Sequence, residues 1–195
     1  MNNGRKPLII IVSAPSGSGK TTLISGLLEK MPRLRRSVSY TTRLPREGEK
    51  DEEDYIFVSK QEFVEKKNAG GFLEWEENFG NYYGTPKDDF QDAVEEGDDL
   101  VLSIDVKGAR KIKQIFPESV SIFIMPPSAE ELAARLKKRN TDRKDEVSLR
   151  LKESQVEIEA ADEYDYLIVN EDLEEAVGEL EAVINEERKN RDSKK

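Results

Sequence analysis

Four short runs of apolar, mostly β-branched residues recur along the chain, and each precedes a stretch with helical patterning. The runs are Leu8–Val12, Leu100–Ile104, Val120–Ile124 and Tyr166–Val169. A run that is apolar on both faces is typical of a strand buried on both sides of a parallel sheet. Alternation of such strands with helices predicts a doubly wound α/β core, built as three layers around a parallel sheet.

The helical stretches carry start signals of their own. Lys20–Met31 follows the first strand and Val106–Phe116 follows the second. The other two, Ser128–Arg139 and Asp172–Glu187, each begin with an N-cap residue followed three positions later by Glu, which is typical of a capping box. The purely polar tail, residues 188–195, is predicted to fray.

Residues 37–97 have a different pattern, with short elements and many turn residues. We predict strands at Tyr55–Val58 and Gly71–Trp75, a turn-rich segment at Asn78–Gly84, and short helices that begin at Ser59 and at Thr85, with Pro86 at the first helical position. This pattern indicates a small mixed α+β lobe inserted into a core formed by residues 4–36 and 98–187. A helical lid is expected at about residues 128–152.

Composition narrows the functional classes. The chain has 195 residues, 31 Lys and Arg against 41 Asp and Glu, and a net charge of −10, which argues against nucleic acid or anionic membrane as a partner. It contains no Cys and no His, so disulfides, thiol nucleophiles, imidazole–metal sites and Ser-His-Asp hydrolysis are excluded. Because Leu8–Val12 is too short for a signal or a membrane span, we expect a cytoplasmic protein. Oligomeric state stays open.

The first strand leads into a Walker A sequence in which alanine replaces the first glycine. Its glycines allow backbone N–H groups to turn toward a phosphate chain, and the helix that follows presents an N-terminus that favours anions. Lys20 would contact the β and γ oxygens, and the Thr21 hydroxyl would ligate Mg²⁺. The alternative is a glycine-rich turn without a ligand. The residues predicted to bind ATP here are Ala14, Pro15, Ser16, Gly17, Ser18, Gly19, Lys20, Thr21 and Thr22.

The phosphate loop alone does not define a second substrate. The chain lacks the Asn-Lys-x-Asp sequence by which GTPases read their base, and five arginines but no acids occur between Arg33 and Arg46. A small phosphate-loop protein with an inserted lobe and an arginine-rich segment favours a kinase of nucleoside monophosphates or of a phosphorylated metabolite. Arg33, Arg35 and Arg36 are expected on the surface.

Four further segments resemble, in order and spacing, the substrate lobe of the guanylate kinase family. They are Ser39-Tyr40-Thr41-Thr42-Arg43-Leu44-Pro45-Arg46-Glu47-Gly48-Glu49, Asp54-Tyr55-Ile56-Phe57, Phe72-Leu73-Glu74-Trp75 and Gly80-Asn81-Tyr82-Tyr83-Gly84-Thr85. The resemblance extends from about Lys6 to Glu187. It implies transfer of the γ-phosphoryl group of MgATP to GMP, with dGMP as a further candidate substrate and Mg²⁺ as the cofactor.

The resemblance also implies residue roles. Arg43 and Arg46 would grip the GMP phosphate with the hydroxyls of Tyr55 and Tyr83, and guanine would be read by Ser39, Glu74, Thr85 and Asp105. Lid arginines would neutralise charge during transfer, so that the predicted catalytic residues are Lys20, Arg43, Arg135 and Arg150. Arg139 and Asn170 would flank the adenine of ATP.

Elementary chemistry is consistent with two of these roles. The guanidinium groups of two arginines can bind one phosphate together, and Arg43 and Arg46 lie close in sequence on either side of Pro45. The Glu74 carboxylate can accept from both N1–H and the exocyclic amine of guanine, whereas adenine presents an acceptor there. Asp105 ends a buried strand, where a Walker B acid would lie near Mg²⁺, although a helix N-cap is the alternative.

Several alternatives remain at this stage. Ser103 and Lys107 stand where the family usually has an acid and a glutamine, which puts secondary contacts around Asp105 in doubt. Arg135 is also spaced to form an ion pair with Glu131 on one helix face. Other readings of the whole chain are a similar kinase with a different phosphorylated substrate, and a non-catalytic guanylate-kinase-like module that binds phosphopeptides.

Overall fold

The computed structural model describes residues 6–78, 80–138 and 144–193, with all their side chains except those of residues 136–138, 144–150 and 153. The strands within these ranges are β1 (Ile9–Ser13), β2 (Leu34–Arg36), β3 (Tyr40–Thr41), β4 (Ile56–Phe57), β5 (Phe72–Asn78), β6 (Asn81–Pro86), β7 (Asp99–Ser103), β8 (Val120–Met125) and β9 (Tyr166–Val169). The four strands predicted from apolar runs are therefore present, within one residue at each end.

Helices follow the strands in the predicted alternation. They are α1 (Lys20–Lys30), α2 (Lys60–Asn68), α3 (Lys87–Glu96), α4 (Val106–Ile115), α5 (Ala129–Lys138), α6 (Lys144–Glu159) and α7 (Leu173–Asp192), with a short 3₁₀ helix at Ala160–Glu163. None of the helices in the described part of the chain combines the length and the apolar character that a membrane span requires.

The larger sheet has five strands in the order β2-β7-β1-β8-β9. The pairs β2–β7, β1–β8 and β8–β9 are parallel, with Ile10 opposite Val120 and Ile122 opposite Tyr166. Its central residues, including Ile10 and Ile122, are completely buried. Burial of both faces explains why these strands lack the polar alternation of a half-exposed sheet. The predicted α/β fold with a parallel sheet is confirmed.

The smaller sheet has the order β4-β3-β6-β5, and its long strands β5 and β6 form an antiparallel hairpin. The prediction of a turn-rich segment over Asn78–Gly84 is wrong for most of its length, since Asn81–Pro86 is a strand. Between the two strands, Gly80 has a φ of 73°. Gly84 allows close packing here, because a Cβ atom at this position would lie 3.0 Å from the rings of Phe63 and Phe72.

The chain divides into two compact units. The first unit contains residues 1–9, 33–103 and 107–119, and the second contains residues 10–32, 104–106 and 120–195. Phe63 and Ile112 are fully buried in the first unit, and Leu23, Phe123 and Leu180 are fully buried in the second. Each unit therefore has apolar side chains removed from water. The inserted lobe at 37–97 and the lid at about 128–152 stay predictions.

Two helix ends differ from the predictions. Pro86 is the N-cap of α3 and the last residue of β6, not the first helical residue, because its extended backbone (ψ 146°) completes the hairpin. Helix α7 continues to Asp192, beyond the predicted end at Glu187. Lys189 and Arg191 lie in its last turn, where positive charge interacts favourably with the helix dipole.

Candidate active site

The phosphate loop connects β1 to α1 with two glycines in the left-handed region. Gly17 has φ 93° and Gly19 has φ 86°, and the Ser18 N–H donates to the Pro15 carbonyl at 3.1 Å. Ala14 is buried, and Glu52 is the non-glycine residue with positive φ in the described part of the chain. Because Ala14 has an ordinary φ, alanine at the first glycine position does not strain the loop.

Lys20, in the first turn of α1, reaches the backbone that precedes Asp105. Its Nζ donates to the carbonyl of Ile104 at 3.1 Å, and Ile104 directly precedes Asp105. Thr21 and Thr22 are exposed in the same helical turn. The loop lysine is thereby held beside the backbone that carries the predicted Walker B acid, in an arrangement suited to a phosphate chain and a hard cation.

A cavity of about 350 Å³ lies beside the phosphate loop in the second unit. Its lining comes from the phosphate loop, from helices α1 and α5 and from the residues after β9. These residues are Gly17, Gly19, Thr22, Arg135, Asn170, Glu171 and Leu173. Arg135 also donates from Nε to Glu131 at 2.9 Å, which is the ion pair that spacing alone offered as an alternative. The structure thus shows both features of Arg135: it pairs along its helix and it lines the cavity.

The sequence also predicts that Arg139 binds ATP and that Arg150 is catalytic. Arg139 lies outside the described residues. Arg150 belongs to α6, and its side chain lies outside the described part of the structure. Of the two residues that depart from the family pattern, Ser103 is half-buried at the end of β7 and Lys107 is exposed on α4.

In the first unit, Arg43, Tyr55 and Tyr83 form one cluster. The Arg43 guanidinium lies 5.3 Å from the centre of the Tyr55 ring, and the rings of Tyr55 and Tyr83 are 6.1 Å apart. Burial raises the pKa of Tyr55, and the neighbouring Tyr83 adds to this effect, so its hydroxyl stays protonated and can donate. Three of the four predicted phosphate ligands are thus brought together.

Glu49 organises this cluster, although sequence reasoning gave it no role. Arg43 donates to its two carboxylate oxygens at 2.8 and 2.9 Å, and the Arg46 N–H donates to Oε2 at 2.8 Å. Gly48, with φ 85°, makes the turn that returns Glu49 to the two arginines. Although partial burial opposes it, Arg43 and the Arg46 N–H hold the pKa of Glu49 below its ordinary value. The sequence feature that could have indicated this role is an acidic residue, Glu49, three positions after Arg46.

The hairpin of β5 and β6 places Glu74 opposite Thr85. The two residues are cross-strand partners, and Thr85 Oγ1 donates to Glu74 Oε1 at 2.6 Å. Glu74 is 8% exposed and Thr85 is 1% exposed. Ser39, which directly precedes β3, is half-buried, and its carbonyl accepts from the Ile56 N–H. Asp105 belongs to the second unit.

The expectation that Arg36 lies on the surface is wrong. Arg36 is half-buried at the end of β2, with its Nε inaccessible to water, and it donates from NH2 to the Asp54 carbonyl at 3.1 Å. Its neighbour Arg35 pairs with Glu96 at the surface. Strand pairing of β2 with β7 directs alternate side chains to opposite faces, which a run of arginines does not reveal.

Comparison with known proteins agrees with these motifs. The sequence model of the guanylate kinase family matches residues 5–187. The chain belongs to the guanylate kinase family. A guanylate kinase of Caldanaerobacter subterraneus is 44% identical over 96% of this chain and 91% of that relative, and one of Neisseria gonorrhoeae is 48% identical over 95% and 90%.

A solved structure of the guanylate kinase from Anaplasma phagocytophilum is also similar. It is 39% identical, covers 93% of this chain and 86% of its own, and has a TM-score of 0.79. The predictions of the family, the α/β fold and a kinase activity are therefore confirmed.

Proposed function

We propose that this chain transfers the γ-phosphoryl group of MgATP to GMP, giving ADP and GDP. The observation that carries the assignment of the acceptor is the buried hydrogen bond between Thr85 and Glu74, at 2.6 Å, in the same unit as the cluster around Arg43. Membership of the guanylate kinase family supports the same reaction. The cytoplasmic location stays a prediction from sequence.

The phosphate loop holds the triphosphate of ATP in this proposal. The N–H groups around Gly17 and Gly19 and the N-terminus of α1 face the phosphates, and Lys20 contacts the transferred group. Arg135 lines the neighbouring cavity and places positive charge there. Arg139 and Arg150 retain the roles that the family resemblance implies.

Thr21 and Asp105 are the residues that would hold Mg²⁺. The exposed Thr21 hydroxyl lies in the first turn of α1, and Asp105 follows the carbonyl that Lys20 contacts. Hydroxyl, carboxylate and phosphate oxygens are the hard ligands that Mg²⁺ prefers, so the donor set fits this metal. When bound, the metal supplies positive charge that offsets the charge of the phosphate oxygens.

The phosphate of GMP binds the cluster around Arg43. Glu49 occupies one edge of the Arg43 guanidinium and fixes its plane, and the Leu44 carbonyl accepts from a further NH1 proton, which leaves at most two N–H groups for the phosphate. The hydroxyls of Tyr55 and Tyr83 donate to the same anion, and Arg46 adds a second guanidinium. Because Glu49 keeps a low pKa, it orients Arg43 throughout the neutral pH range.

Guanine is selected by the Glu74 carboxylate. Thr85 donates to Oε1 and fixes the carboxylate, which in this proposal accepts N1–H and the amine of guanine. Ser39 and Asp105 complete the predicted base contacts. Adenine would leave the buried carboxylate facing an acceptor, and unpaired buried groups of this kind give ~10⁴–10⁵-fold discrimination.

The reaction needs no protein nucleophile. An oxygen of the GMP phosphate attacks the γ-phosphorus in line as the bond to the β-phosphate oxygen breaks, so catalysis consists of positioning and charge stabilisation. Lys20, Arg43 and Arg135 supply fixed positive charge for this step. The absence of His and Cys from the sequence is compatible with such chemistry.

A coupled assay of ADP release tests the proposal. GMP, dGMP, AMP, CMP and UMP would be compared side by side with MgATP, with a reaction lacking acceptor as the control. We expect turnover with GMP and with dGMP, since no residue is assigned to the ribose 2′-hydroxyl, and little turnover with the others. Preference for AMP, or ATP hydrolysis independent of the acceptor, would overturn the assignment.

A further inference from the structure

The side chain of Asn170 is attached to the phosphate loop by a buried hydrogen bond. Its Nδ2 donates to the Ser18 carbonyl at 2.7 Å, although the two residues are 152 positions apart in the chain. Asn170 is 6% exposed and directly follows β9. The resemblance to the family implied a contact with adenine for this residue, whereas the contact made in the structure is to protein backbone.

This hydrogen bond fixes the orientation of one peptide group. The Ser18 carbonyl and the Gly19 N–H belong to the same planar trans peptide, in which the two groups point in opposite directions. When Asn170 holds the carbonyl on one side of the loop, the Gly19 N–H is directed to the other side. An N–H group directed inward is what a phosphate-binding loop requires.

The loop and Asn170 also fit closely in shape. Gly19 has φ 86°, and a Cβ atom at this position would lie 2.6 Å from the Asn170 Nδ2. Asn170 is itself held by its backbone, since its N–H donates to the Met125 carbonyl at 2.8 Å. The strand pair β8–β9 therefore provides a rigid support from which the side chain contacts the loop.

We propose that Asn170 is a positioning residue for the phosphate loop, acting through the Ser18 carbonyl and independently of the nucleotide base. The inference rests on the proposed function of this loop as the triphosphate site. It differs from an adenine contact in its consequence: loss of the side chain weakens binding of any polyphosphate, including one that has no base.

Calorimetric titration of two ligands separates the two roles. The full chain with Asn170→Leu, which keeps a branched side chain of similar size but no donor, would be titrated with MgATP and with magnesium tripolyphosphate. We expect both affinities to fall by a similar factor of about tenfold, because the buried Ser18 carbonyl loses its donor. The affinity for GMP should be unchanged.

The matched control is Asn68→Leu, which makes the same substitution at the exposed last residue of α2, in the other compact unit. It should weaken tripolyphosphate binding less than twofold. A loss confined to ATP in the Asn170→Leu protein would make Asn170 a base contact and overturn the inference, as would unchanged binding of both ligands. If the unaltered chain binds both polyphosphates but does not phosphorylate GMP, the proposed function fails while the positioning role stands.

Nuclear magnetic resonance of the unaltered chain gives a test that needs no variant. One Asn170 side-chain N–H proton should exchange slowly with solvent before nucleotide is added, and its nitrogen should show a scalar coupling to the Ser18 carbonyl carbon. Rapid exchange of both protons without such a coupling would overturn the inference, even if the leucine variant did not fold.

Discussion

Replacement of Glu74 by glutamine exchanges one carboxylate oxygen for an NH₂ group in the proposed guanine pocket and provides a sharp test of its chemistry. Thr85 donates to Oε1, so the glutamine oxygen is favoured at that position and the amide NH₂ takes the place of Oε2. Guanine presents two hydrogen-bond donors. The glutamine would face them with one acceptor, its carbonyl oxygen, and with an NH₂ group that is itself a donor. A charge-assisted hydrogen bond is lost and a buried donor is left without a partner.

The size of the effect follows from these two losses. A hydrogen bond to a charged group contributes about 1.5–3 kcal/mol, and an unsatisfied buried donor costs about 1–3 kcal/mol. Glu74 is 8% exposed, so water cannot replace the missing acceptor. The sum of about 2.5–6 kcal/mol corresponds to a loss of about 10²–10⁴-fold in kcat/KM for GMP.

The coupled ADP-release assay measures this loss. Glu77→Gln is the matched control, because Glu77 lies on the same strand with an exposed side chain and should behave as the unaltered chain. The KM for ATP should be unchanged in both variants. A decrease of less than threefold for GMP in Glu74→Gln, or an equal decrease for ATP, would refute the role of Glu74 in reading guanine.

Three further predictions concern the phosphate loop and the Arg43 cluster. Lys20→Ala should lower kcat by about 10²-fold or more and leave calorimetric GMP binding intact; near-normal turnover would exclude Lys20 from the triphosphate site. Gly19→Ala should weaken ATP binding, because its φ of 86° strains alanine by about 1–2 kcal/mol and its Cβ meets Asn170; unchanged binding would contradict the loop geometry. Glu49 stabilises the fold above its unfolded pKa, and this stabilisation is lost as pH falls through its lower folded pKa. Denaturant titrations of Glu49→Gln should therefore differ from the unaltered chain at pH 7 and converge in acid; a constant difference would exclude the ion pair with Arg43.

The sequence was informative where one local rule determines the outcome. The buried strands follow from apolar residues on both faces, and α2 begins after the predicted start residue Ser59, which forms a capping box with Glu62. The phosphate loop was predicted from the spacing of its glycines between a buried strand and a helix. For Glu74, the residue was identified by resemblance to the family, and the hydrogen bond to Thr85 required the register of the hairpin.

Features that depend on pairing between distant segments could not be read in this way. The strand Asn81–Pro86 contains glycine, proline and asparagine, which favour turns locally, and it forms because β5 and β3 flank it. The contact of Arg36 with the Asp54 carbonyl depends on which face of β2 carries the side chain. The support of the loop by Asn170 joins residues from opposite ends of the chain.

That long-range contact has a consequence for how the protein matures during synthesis. The glycines of the phosphate loop leave the ribosome about 150 residues before the Asn170 amide that holds the loop, which follows the strand β9 on which it depends. Closing a loop of this length costs entropy that only the assembled parallel sheet can offset. A nascent chain that ends before residue 166 would carry the complete Walker sequence without its final shape, so nucleotide would be captured only after β9 and Asn170 have been made.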